Sequence, residues 1–567
     1  MSQENIYNDN MGSVTIKQYA VQDLLKGGKS NVRRGGVAKY LGTLDRNNLP
    51  TPAEMERYAL KSIKDEFETV CCMMPKNEMW KKPDELSPSD IADIILFTEN
   101  VRCVACAGIH ADEKYDILAV YQTGGINEGI YVNSETRIRQ LAQDYNYGIT
   151  TPQTEELIRT LKTRAPRIAR CEDRDLIAVD NGIFNYKTKE LMAFDPNIVF
   201  MAKSYVNYNH AAQNVFITHP DDGSVWDIES WLSELSDNKE VVALLWEILG
   251  AIIRPFVSWN KAAWLFSTTG NNGKGSLCKL MRNLCGPNSY ASIPIADFGK
   301  DFLLEHLTHA TAVIVDENDV GLFIDKAANL KTVVTGDVMQ INCKFKMPIL
   351  FQFHGMMVQC LNELPQAKDK SDSFYRRQLF IPFDKCFTGA ERKYIKDDYL
   401  GRPDVLEYVM HKVLHSDYYE LSNPQVCQQA LTEYKELNDT VREYWLYHKK
   451  DWSWDFLPFT FLYCGYKGWH AAHNPSGKPV AYKTFIKDLL NTLKGDDMFI
   501  CKDKSNPVRP GKMMDTPEYL IHQYAEHMKE WRNPTYKGDD WKKICKPALK
   551  VSYTGIHRIQ TSGNYDD

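Results

Sequence analysis

The 567-residue chain contains no apolar run approaching the length that crosses a bilayer, and its largely polar opening, residues 1–10, lacks the hydrophobic stretch of a secretory leader. These absences argue against a membrane or exported protein and predict a cytoplasmic one with no membrane partner. A metal-binding cysteine framework is missing as well. The fourteen cysteines are scattered, and only Cys103 and Cys106 have a metal-like spacing, with His110 after them and Cys71 and Cys72 before. A structural zinc needs a second paired cluster, which is absent, so buried reduced thiols such as Cys278 and Cys360 are the expectation. Excess positive charge is lacking too: a net charge of −6 leaves any nucleic-acid contact to a local basic patch. Internal repeats and low-complexity tracts do not occur. What remains is an ordinary globular composition, 43% hydrophobic, in a chain long enough for three or four domains.

The most informative stretch follows a compact apolar run, residues 262–266, and precedes a helical pattern beginning at Leu277. Between them lie Gly270, Asn271, Asn272, Gly273, Lys274, Gly275 and Ser276. Strand, glycine loop and helix in this order make a phosphate cradle: the glycines let backbone N–H groups converge on phosphate oxygens, and the helix turns its positive end to the same point. Lys274 is placed to reach the outer phosphates. The strict G-x-x-x-x-G-K-[ST] pattern fails twice, because Thr268 replaces the first glycine and Gly275 stands where a magnesium-binding hydroxyl belongs. Ser276 offers that hydroxyl one position late.

About forty residues past Lys274, the apolar run 312–315 ends in Asp316 and Glu317. Two carboxylates at the tip of a buried strand suit magnesium and water, with Asp316 holding the metal and Glu317 orienting or deprotonating the water that attacks a γ-phosphate. A solvated acidic turn is the plainer alternative. A second apolar strand, 356–361, ends at Asn362, which stands beside those carboxylates if the strands are sheet neighbours and could sense the γ-phosphate; an asparagine that merely caps a turn is the alternative. Arg376 and Arg377 lead a third apolar strand, and Arg377 is placed as a finger on a transferring phosphoryl group, against the simpler reading of a surface salt bridge.

The ordered set GNNGKGS, VIVDEN, LKTVVTGD, CLNELP and FYRRQLFIPF resembles the superfamily 3 helicase core of phage, plasmid and mobile-element replication proteins, with particular likeness to the helicase halves of satellite-phage and poxviral primase-helicases. The resemblance covers roughly residues 170 to 450. It implies a multidomain α/β protein with an AAA-plus P-loop three-layer core, ATP and magnesium as cofactors, and a homo-hexameric ring moving 3′ to 5′ on single-stranded DNA. It also makes Lys344, Phe345 and Lys346 the tip of a hairpin in the ring channel. Two lysines on phosphates and a phenylalanine on sugar or base would form a sequence-tolerant grip, while an exposed basic turn is the other reading. Substrates would be a replication fork or origin DNA. The N-terminal region offers only scattered acids such as Asp112 and Asp116, not a polymerase-like carboxylate set, so a separate primase or polymerase is expected.

On this basis we divide the chain into a mixed α+β region at 1–225, a helical collar at 226–258, the core at 259–390, a helical lid at 391–450 and a mainly helical, winged-helix-like domain at 451–567. The last carries eight basic and four acidic residues between Lys478 and Lys512, which fits either duplex DNA binding or a solvated helical cap. Asn181 and Gly182 predict a hairpin, and Trp231 through Ile253 a single helix stopped by Pro255. Two other functional classes stay open: a nucleotide-dependent origin-binding initiator or regulator that does not unwind, and a small-molecule phosphoryl-transfer enzyme.

Overall fold

A computed structural model describes residues 4–5, 16–17, 28–300, 302–324, 327–344, 347–388, 392–473 and 478–559. The chain forms two compact units, one of residues 1–369 with 376–428, the other of 370–375 with 429–567. Among the described residues, no helix is long and apolar enough to cross a membrane.

After a short antiparallel pair, Glu4–Asn5 with Ile16–Lys17, the first unit runs through helices Gly28–Leu41, Pro52–Cys71 and Pro88–Thr98. The second and third begin at capping boxes, Thr51 with Glu54 and Ser87 with Asp90, each with proline just inside the helix where its missing N–H costs nothing. They pack with helices Glu135–Tyr145 and Thr151–Arg164 around Ile63, Phe67, Ile91, Ile95 and Leu157. A four-stranded sheet runs Tyr131–Val132, Ile117–Tyr121, Val101–Ala105, Arg167–Ala169. Cys103 and Cys106 are buried free thiols, both pushed up to about 11 by burial, and the described residues hold no metal-binding cluster. Asp116 is buried against Arg167.

The hairpin at 176–185 forms, one residue out of the expected place. Val179 pairs with Gly182, so Asp180 and Asn181 make the turn and Gly182 is the first strand residue. A side chain at Gly182 would meet the Met192 carbonyl at 2.4 Å. The single helix expected over Trp231 to Ile253 is instead two, Ile228–Glu234 and Lys239–Ala251. The break has a local cause: the Asn238 side chain accepts from Glu240 N at 2.8 Å and Val241 N at 3.4 Å, starting a new helix where the apolar period alone suggested continuity. The second helix ends at Ala251, ahead of Pro255.

The centre of this unit is an all-parallel sheet of five strands in the order Tyr290–Ala291, Ala312–Val315, Met356–Leu361, Ala262–Phe266, Gln378–Pro382. Continuous burial of the three central strands is what a parallel sheet covered on both faces requires. Ala263, Leu265, Ile314, Val358 and Cys360 pack with Leu277, Leu280, Met281 and Leu284 of helix Lys274–Cys285. Trp264 and Phe380, on the alternate face, are buried ring to ring at 5.3 Å. A separate hairpin, Val338–Ile341 with Ile349–Gln352, leaves the sheet before its central strand. Helices Lys393–Asp397 and Pro403–Leu414 follow.

The second unit runs helix Thr440–His448, strand Phe456–Pro458, helices Phe459–His473 and Tyr482–Thr492, and strands Phe499–Ile500 and Gly555–Arg558. Its antiparallel sheet places the last strand between the other two. Tyr444, Trp445, Trp454, Phe461, Tyr466 and Phe485 form an aromatic core.

Candidate functional site

Parallel strands deliver their C-terminal ends to one edge, and loops there are where an α/β sheet builds a ligand site. Phe266 pairs with Leu361 and Val315 with Gln359, so the glycine loop, Asn362 and the Asp316–Glu317 pair leave the sheet along the same edge. The amide-bearing strand lies between the cradle strand and the carboxylate strand. The condition for Asn362 to stand beside the carboxylates, that the two strands be sheet neighbours, is met.

The loop holds its own shape. Ser267 N donates to Leu361 O at 3.2 Å, and the Asn272 amide donates to Thr269 O while its oxygen receives Lys274 N at 3.4 Å. Phe387 N donates to Asn271 O at 2.7 Å, tying the loop to the chain beyond the last strand. Asn271 and Gly273 have φ of 53° and 85°. Gly273 is required twice over, by that backbone and because a Cβ would sit 2.5 Å from Leu235 Cδ2. Gly273 gives helix Lys274–Cys285 no side-chain cap, and beyond Lys274 N, which Asn272 receives, the first-turn N–H groups are left for an anion.

Lys274 is buried, and its ammonium donates to Asn362 Oδ1 at 3.2 Å. Burial lowers its pKa, and its partner is a neutral amide rather than a carboxylate, so the positive charge is left for a ligand. Asp316 Oδ2 receives a hydrogen bond from Arg282 Nη1 at 3.0 Å and its Oδ1 forms an ion pair with Nη2 at 2.8 Å, and this guanidinium holds its carboxyl below the usual range. Glu317 is exposed at the strand tip. Directly after it, buried Asn318 donates to Gln359 Oε1 and Cys360 O, both at 3.0 Å, and accepts from Ile295 N at 2.9 Å. Asp316 is thus held by Arg282, and the chain just after Glu317 is held by Asn318.

A cleft of about 370 Å³ opens beside the loop, lined by Trp231, Leu235, Asn271, Ser276, Phe387 and Lys396 among others. Gly275 faces this space: a Cβ there would meet only Lys396 Nζ, at 3.7 Å. Arg282, Asn318 and Lys396 were not singled out from sequence. Arg282 had a signal, since Lys274, Cys278 and Arg282 recur at four-residue intervals on one helix face.

Arg377 lies elsewhere. Its carbonyl accepts Ala262 N at 2.8 Å, at the start of the cradle strand, whereas the cradle is at that strand's end. Five residues of strand, about 16 Å, separate the two edges. Lys344 is exposed in the turn of the hairpin, and Phe345 and Lys346 lie outside the described residues. The hairpin's base is anchored by Arg170, whose Nη2 donates to Gln352 O at 2.8 Å, and by Gln352 Nε2, which donates to Gly336 O at 2.7 Å.

Residues 265–377 match a protein family described as a family of unknown function, DUF5906. No curated protein matches the chain. Among solved structures the chain is similar to the A form apo structure of the NrS-1 C-terminal region, with 12% identity, a TM-score of 0.41, and coverage of 84% of this chain and 99% of that one. A further apo structure of that region gives 12% identity and a TM-score of 0.38, covering 84% and 99%.

Proposed function

We propose that the protein is an ATP-driven motor of superfamily 3 helicase type, moving single-stranded DNA through a homo-oligomeric AAA-plus ring. The observation that carries this reading is the shared sheet edge, where an uncompensated buried lysine, an amide and a carboxylate pair converge beside a capless helix N-terminus.

The triphosphate lies over residues 270–276 with its outer phosphates on Lys274 and on the first-turn N–H groups. Asn362, whose Oδ1 accepts from Lys274, offers its Nδ2 as a donor to a γ-phosphate oxygen and so reports its presence. Glu317 orients the attacking water and accepts its proton. Ser276 and Asp316 provide the hydroxyl and ionised carboxylate that would hold magnesium, which when bound would neutralise charge on the phosphates. Such an ion needs only one or two protein ligands, so the lack of a three-ligand cluster among the described residues does not count against it. Arg377, on the far edge of its own sheet, serves a neighbouring copy's nucleotide, which makes the site an interface site. The 344–346 tip engages the DNA backbone as the hairpin moves.

Inorganic phosphate release measured with and without single-stranded DNA, alongside displacement of a strand from a fork, tests the reading. Stimulated hydrolysis with displacement supports it. Stimulated hydrolysis with specific duplex binding and no displacement favours an initiator or regulator, and phosphate transfer to a small molecule refutes both.

A further inference from the structure

The second unit contains a helix whose solvent face carries one sign of charge. In Tyr482–Thr492 and just beyond it, Lys483, Lys487, Asn491 and Lys494 are all exposed, at intervals of four, four and three residues, which is a single stripe of an α-helix. Thr484 is exposed beside it. The opposite face is pinned: Phe485 and Leu489 are fully buried in the aromatic core. Acidic residues nearby are engaged elsewhere. Asp488 is buried and paired with Lys370 at 3.3 Å, and Asp496 accepts from Trp445 Nε1 at 2.8 Å and from Met498 N and Phe499 N at 2.9 Å. Asp497 pairs with Lys449 at 2.9 Å, and Asp503 caps its own turn through Ser505. The basic excess counted in sequence is therefore greater on the surface than in composition. After strand Phe499–Ile500 the exposed chain adds Lys502, Lys504, Arg509 and Lys512.

We infer that this stripe is a duplex-DNA-reading surface, with helix Tyr482–Thr492 lying in the major groove. An eleven-residue helix is about 16 Å long and about 10–12 Å across, against a groove about 12 Å wide. Lysines at both ends of the stripe meet phosphates on either side, Thr484 and Asn491 face base edges, and the basic residues from 502 to 512 extend the backbone contact. Single-strand binders instead present aromatic stacking platforms, and the stripe exposes none. The inference stands apart from the nucleotide chemistry, which uses none of these residues.

The test uses the full chain without nucleotide, reading fluorescence anisotropy of a labelled DNA duplex of about 20 bp against a single strand, an RNA duplex and heparin over a salt series. Changing Lys483, Lys487 and Lys494 together to Glu should weaken DNA-duplex binding at least ~10-fold and reduce the log–log salt slope by about 3, near 0.9 per lost phosphate contact. Asn491→Ala should flatten preference among duplex sequences. Hydrolysis stimulated by single-stranded DNA should be unchanged in all these variants. If tryptophan-fluorescence melting shows the triple variant unfolded, the corresponding triple Gln variant is read by the same criteria. Unchanged duplex affinity in a folded variant, or equal losses for RNA duplex and heparin, overturns the proposal.

Discussion

Lys274 has an unusual environment for a lysine: buried, its pKa lowered by burial, and hydrogen-bonded to an uncharged amide. A buried charge without a counter-charge is costly, and such cost is accepted where a ligand completes the pair. Glu317 has the opposite setting, exposed at the tip, free to meet a water. Glu317→Gln should therefore bind ATP with affinity near wild type and hydrolyse it about 10²- to 10⁴-fold more slowly, as loss of a general base does. Equilibrium nucleotide binding alongside phosphate release checks this, and wild-type turnover would remove Glu317 from its role. A different carboxyl contributes to the pH response of the second unit. Glu518 is fully buried, its Oε2 receiving Ser453 N at 2.8 Å, and burial pushes its pKa up to about 7 from 4.5. At this group the folded state binds a proton that the unfolded chain releases, so its contribution to stability falls as pH rises from about 4.5 to about 7. His448 in the same unit, lowered to about 4 by burial, acts in the opposite sense, so the Glu518 contribution is read as the difference between wild-type and Glu518→Gln tryptophan-fluorescence melts, which should shrink as pH rises through that window.

At the scale of elements, the cradle depends on backbone that only glycine supplies cheaply. Gly273→Ala places a Cβ at positive φ and 2.5 Å from Leu235 Cδ2, and should cost more than about 1 kcal/mol and abolish nucleotide binding. Urea titration with a nucleotide-binding assay separates the two effects. For the hairpin, Lys344→Ala combined with Lys346→Ala should eliminate strand displacement and retain basal hydrolysis. Unimpaired displacement would refute the assignment of its tip. Much of this was legible in the chain: apolar runs ending in Asp316 and Asn362, and a glycine loop between a strand and a helix, are local patterns whose register follows once the sheet is parallel. Local chemistry also explains two departures. Asn238 starts a new helix inside an apolar period, and Asp180 with Asn181 takes the turn that Asn181 with Gly182 suggested. Long-range partners were not legible. Arg282 on Asp316, Asn318 on Gln359 and Arg170 on Gln352 join residues 34, 41 and 182 positions apart, which no window of sequence connects.

For the whole molecule, the decisive feature is that the sheet separates the cradle from Arg377. On the proposed reading the two serve one phosphoryl-transfer site, and they can meet there only if copies are placed head to tail, as in closed rings. An arginine supplied in this way contributes about 10³–10⁵ in turnover, so Arg377→Ala should bind ATP and barely hydrolyse it. The most direct test mixes Arg377→Ala protein with Lys274→Ala protein, each inactive alone, and follows phosphate release over a range of ratios. Interfaces pairing an intact cradle with an intact arginine should restore hydrolysis, greatest at intermediate ratios. No recovery at any ratio, in mixtures shown to co-assemble, would contradict the shared site.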